Sequence, residues 1–144
     1  MEAKRAVELD GDSFLARLAV LWAYVWQGEY KRACAAADPA LVMSGRHPWA
    51  LASLALARSG AGEHEAAEAI YAELSARRRT EYVQPAFLAL VAAAIGRVQE
   101  GLALLHQAVE DRDPLSASIK HWPGFETLRA HPEFRQVLEH MGWA

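Results

Sequence analysis

The chain has 144 residues, 53% of them hydrophobic and 23% charged, with a formal net charge of −3. That length and composition suit one compact domain with a buried core, and the charge leaves no basic footprint of the kind nucleic-acid binding requires. The single cysteine, Cys34, excludes an intramolecular disulfide and fits a reducing compartment.

Residues Met1 to Asp10 are charged and lack the apolar core of a signal peptide. The longest apolar runs, 18–26 and 86–95, fall short of the roughly 20 residues that cross a bilayer. A cytoplasmic chain with neither membrane nor nucleic acid as partner is therefore expected.

In chain order, Ala6-Val7-Glu8-Leu9 reads as the end of a helix that stops near Leu9. Apolar periodicity then predicts helices over 12–27, 29–43, 48–60, 63–78, 85–95 and 97–111. Pro48 and Pro85 suit the first turn of their helices, where a missing N–H costs little. Asp38-Pro39 conflicts with the helix around it, because proline removes a hydrogen bond and pushes the preceding residue out of helical angles. A kink, an end near Ala37, or a restart capped by Asp38 is expected there. Arg77-Arg78-Arg79 closes a helix, where cations favour the dipole.

Gly28, Gly62 and Gly96 are spaced at 34 residues, each between two helical patterns. Glycine suits a helix end that needs positive φ. Other positions repeat at the same interval. Five residues on are the small Ala33, Ala67 and Gly101; eight before are Val20, Leu54 and Leu88; seven before are Leu21, Ala55 and Ala89. Twelve on are Ala40, Leu74 and Ala108, and one step back from Ala40 is Ala6. The chain thus reads as 1–10, the end of a preceding repeat, followed by repeats over 12–45, 46–79 and 80–113. Small residues in register let one helix backbone press on the next.

In this period and these columns the sequence resembles the tetratricopeptide repeat family. The aromatic positions match at Tyr71 and Tyr24, and Asp113-Pro114 keeps the proline between repeats. The tail, with Lys120, Pro123, Leu128-Arg129, Pro132 and Phe134, resembles the closing segment of tetratricopeptide regions at the C-termini of bacterial multidomain regulatory proteins. The resemblance implies an all-α fold, a short right-handed α-solenoid of about three helix hairpins plus a preceding helix. Residues 114–144 would form capping helices, with Phe125, Leu128, Phe134, Val137, Leu138 and Met141 covering the last apolar face.

The resemblance also places the first helix of each pair on a concave face. Its residues would include Leu15, Leu18, Trp22, Trp26, Trp49, Leu56, Val83 and Leu90. These carry no Lys, Asn or Arg of the kind that clamps a partner's terminal carboxylate. An apolar groove with tryptophans suits a peptide or protein segment. The same tryptophans also suit packing within the chain or against a second copy.

No catalytic constellation or phosphate loop appears. The six histidines include no i, i+4 pair, so no metal site or cofactor is expected. Cys34 reads as a small buried hydrophobe. The resulting expectation is a non-catalytic interaction module that binds a protein or peptide. Self-association, or a structural role within a larger bacterial regulatory protein, is the alternative.

Overall fold

A computed structural model describes residues 14–142, and every regular element among them is helical. The elements are α1 (Phe14–Trp26), α2 (Tyr30–Ser44), α3 (Pro48–Gly60), α4 (His64–Arg77), α5 (Pro85–Ala94) and α6 (Val98–Glu110). Two 3₁₀ turns follow, Pro114–Ser118 and Pro123–Phe125, then α7 (Glu126–Arg129) and α8 (Phe134–Met141). The first six helices start and stop within two residues of their expected limits. The helix expected to stop near Leu9, with Ala6, lies outside the described residues.

The same device closes α1, α3 and α5. Gly28, Gly62 and Gly96 have φ of 76°, 85° and 83°. At each, the following N–H reaches back five residues: Glu29 to Tyr24 at 2.9 Å, Glu63 to Arg58 at 2.8 Å, Arg97 to Ala92 at 2.8 Å. The glycine N–H itself donates three residues back, to Val25, Ser59 and Ala93. This is the Schellman arrangement, which satisfies two orphan carbonyls and requires a left-handed residue.

Pro48 and Pro85 open α3 and α5 as expected. At Pro39, α2 runs on from Tyr30 to Ser44 with the proline inside it. Neither the early end near Ala37 nor a restart at Asp38 occurs. Ala35 and Pro39 both face solvent, on the side of the helix where a carbonyl left without a donor by the proline costs least. Ala33, Ala37, Ala40 and Leu41 are buried on the opposite face and hold the helix in place. Gly45, with φ of 63°, ends it.

The chain divides between Ile70 and Tyr71 into two compact units. In the first, α1, α2 and α3 pack on one another. Ala33 and Ala67 are fully buried there, along with Leu21, Ala40 and Ala55. Gly60, late in α3, leaves room for the Tyr30 ring, which a Cβ at that position would strike.

In the second unit α5 packs on α6, and the tail folds back over both. Leu74, Ala89, Leu105 and Ala108 are fully buried. Gly101 is buried under Leu128: a Cβ there would lie 2.9 Å from a Leu128 methyl. Phe125, Leu128, Phe134 and Val137 are buried in the cap, while Leu138 and Met141 are only half covered. Arg129 ties the tail to itself, donating through Nη1 to the carbonyls of Ile119 and Trp122, each at 2.8 Å.

Candidate interaction surface

Twelve of the thirteen residues of α1, in Phe-Leu-Ala-Arg-Leu-Ala-Val-Leu-Trp-Ala-Tyr-Val-Trp, are apolar or aromatic. Leu18, Val20, Leu21 and Val25 face inward. Burying that side leaves Leu15 (65% exposed) and Trp26 (39% exposed) outward, with Trp22 half-buried between them. The Trp22 and Trp26 rings lie 5.0 Å apart at 33°, as i, i+4 neighbours on one helix face do.

Trp49 sits elsewhere in the same unit. Its backbone N–H donates to Nδ1 of His47 at 3.1 Å, so His47 caps α3. The His47 ring meets Trp49 edge-on at 5.4 Å and Phe14 at 5.4 Å. His47 N–H in turn donates to Ser44 Oγ at 3.2 Å. A local capping network thus sets the position of Trp49.

The remaining expected groove residues lie within the protein. Leu18 is 6% exposed and Leu56 7%. In the second unit Val83 and Leu90 are 1% and 0% exposed. As placed, these four side chains pack the core. Of the eight, Leu15, Trp22, Trp26 and Trp49 keep exposed surface, and the Trp22 and Trp26 rings pair with each other.

Some polar features gave no local signal in the sequence. In the second unit, the Tyr71 hydroxyl donates to Glu100 Oε2 at 2.6 Å, and Arg97 lies over the Tyr71 ring at 5.4 Å while bonding Glu100 at 3.1 Å. Burial and the Glu100 hydrogen bond push the Tyr71 phenol far above its ordinary range. The same bond holds the Glu100 carboxyl below its usual value. This pair borders a shallow cleft of about 350 Å³, lined also by Ser75, Arg78, Leu88 and Gln107. Burial also pushes the Cys34 thiol up, which disfavours thiolate. Arg77, at the end of α4, bonds Glu81 at 2.8 Å and lies 3.6 Å from Glu73.

No group of three or more metal-capable side chains forms among the described residues. Among them, no helix is long and apolar enough to cross a membrane. No protein-family model, curated protein or solved structure matches the chain.

Proposed function

We propose that the chain is a non-catalytic protein-interaction module, built of tetratricopeptide-like hairpins in 34-residue register as a short α-solenoid, and that α1 carries its contact surface. The observation behind the site is the Trp22–Trp26 pair with Leu15, an aromatic and aliphatic patch with exposed surface on a helix whose other side is core. Tryptophan rings beside aliphatic surface are typical anchors of protein contacts. The occupant that suits them is an apolar segment, laid along the helix in extended or helical form. The glycine turns and the buried small columns support the repeat reading.

The test is selection of displayed random peptides on the immobilised chain, followed by binding of the recovered peptides to variants. Recovered sequences should be rich in Leu, Ile and Phe, and Trp26→Ala and Trp22→Ala should each weaken binding at least about tenfold, as hot-spot truncation does. Recovered peptides that bind both variants as well as the parent would place the site elsewhere. Self-association, the alternative, would appear in light scattering as a dimer that resists dilution and is lost in Trp26→Glu.

A further inference from the structure

The cleft of about 350 Å³ in the second unit has two helical walls. Tyr71, Ser75 and Arg78 line one of them, at i, i+4 and i+7. Arg78 stands just past the end of α4, but its N–H still donates to the Leu74 carbonyl at 3.0 Å, so the helical course carries it onto the same face. Glu100, Leu104 and Gln107 line the other wall, on α6. The Tyr71–Glu100 bond joins the walls at an offset of 29 residues, and the same offset relates Arg78 to Gln107. Leu88 and Leu104 give the cleft a buried apolar lining.

The two ends differ in polarity. At the first, the Tyr71 hydroxyl gives its proton to Glu100, and Glu100 also takes Arg97, so these groups satisfy one another. Their oxygens offer a ligand nothing but acceptors. At the second, Arg78 is exposed, and no carboxylate among the described residues pairs with it. Gln107 gives one amide N–H to Asp111 at 2.7 Å and has a second to offer. Seven residues of helix separate the ends, about 10 Å at the rise of an α-helix.

We propose that this cleft binds a small organic carboxylate, its acid group on Arg78 and Gln107 and its apolar body on Leu88 and Leu104. Charge complementarity fixes the orientation. A guanidinium without an internal partner presents paired N–H groups that match a carboxylate, and the acceptor oxygens of Glu100 turn one away from the far end. The volume lies at the small end of the range for small-molecule sites, which suits one ring on a short chain. The site is separate from the α1 face and stands or falls independently of it.

The experiment is titration of the isotope-labelled full chain with phenylbutyrate and with its neutral isostere phenylbutyramide, followed by backbone amide shifts. Expected are saturable shifts centred on Ser75, Arg78, Ala103 and Gln107, with the carboxylate bound at least about tenfold tighter than the amide, as a charge-assisted hydrogen bond confers. Arg78→Gln should abolish that preference. Arg79→Gln, which removes a neighbouring exposed cation outside the cleft, should leave it within about twofold of the parent's. Ala103→Leu fills the cleft from an exposed helical position and should remove the shifts for both compounds. The amide spectrum of each variant reports whether it is folded. Shifts centred elsewhere, no saturable shift by about 10 mM, or a carboxylate preference that survives Arg78→Gln or falls equally in Arg79→Gln would overturn the site.

Discussion

The Asp113 carboxylate closes the start of a helix 27 positions earlier, its Oδ2 accepting from the Ala86 N–H at 3.1 Å. The residue that precedes α5, Gln84, makes no side-chain cap of its own. Instead its Nε2 donates to Asp113 Oδ1 at 3.0 Å. The same oxygen accepts from Leu115 N–H at 2.9 Å and so caps the following 3₁₀ turn. One buried side chain thus satisfies orphan N–H groups at both ends of the α5–α6 hairpin.

Removing it should be costly. Asp113→Ala leaves buried donors without partners, and each hydrogen bond to a charged acceptor contributes about 1.5–3 kcal/mol. We expect a loss of about 3 kcal/mol in urea unfolding. Asp113→Asn keeps the accepting oxygen and should lose about 1 kcal/mol. A change below about 1 kcal/mol in Asp113→Ala would contradict this role.

Gly101 and Leu128 should behave as a coupled pair. Gly101→Val drives two methyl groups into the space of the Leu128 side chain and should destabilise by about 1–3 kcal/mol. In that background Leu128→Ala should cost much less than the 2–5 kcal/mol expected in the parent. Additive losses in the double-mutant cycle would mean the two side chains do not share that space.

Arg112 occupies a left-handed position, with φ of 55°, at the end of α6. Asp113 N–H reaches Ala108 at 2.9 Å and Arg112 N–H reaches Val109 at 3.1 Å, so this is a Schellman turn without its glycine. A non-glycine residue pays about 1–2 kcal/mol there. Arg112→Gly should therefore raise stability by about 0.5–1 kcal/mol, after the added freedom of the unfolded chain is subtracted. Gly62→Ala should shift it by a similar amount the other way. An equal sign for both would refute the reading.

Acid should weaken the second unit through Glu100. Its folded carboxyl titrates below the ordinary 4.5, first because of the Tyr71 hydrogen bond. A depressed carboxylate adds stability above its unfolded value and loses it as pH falls through its folded value. Tyr71→Phe removes the cause. The variant should be less stable near neutrality, and the gap from the parent should shrink as pH drops from about 5 to 3. Because Glu100 is exposed, the change is small and is best read as the difference between two Tm profiles. A gap that stays constant with pH would show that the phenol stabilises by packing alone.

Much of the backbone was legible, and the reasons are local. Gly28, Gly62 and Gly96 stood out because a left-handed helix end favours glycine, and Pro48 and Pro85 because a first turn tolerates proline. Arg112 makes the same turn with a side chain that announces nothing. Whether Pro39 would end its helix was not legible, because that depends on which face of the helix it occupies, and burial decides that. The apolar positions Leu18, Leu56, Val83 and Leu90 could serve a core or a groove equally well by composition, and the packing assigns them to the core. The Asp113–Ala86, Tyr71–Glu100 and His106–His140 contacts join residues 27 to 34 positions apart, beyond any spacing rule within one helix.

The most direct test of the interaction surface sets stability against binding in a single variant. In Trp26→Ala, the account predicts a Tm lowered by no more than about 5 °C, because the residue is 39% exposed, together with loss of affinity for a peptide selected on the parent chain. A Tm lowered by 8 °C or more with peptide affinity intact would make Trp26 a structural residue and contradict the claim that α1 presents the contact face.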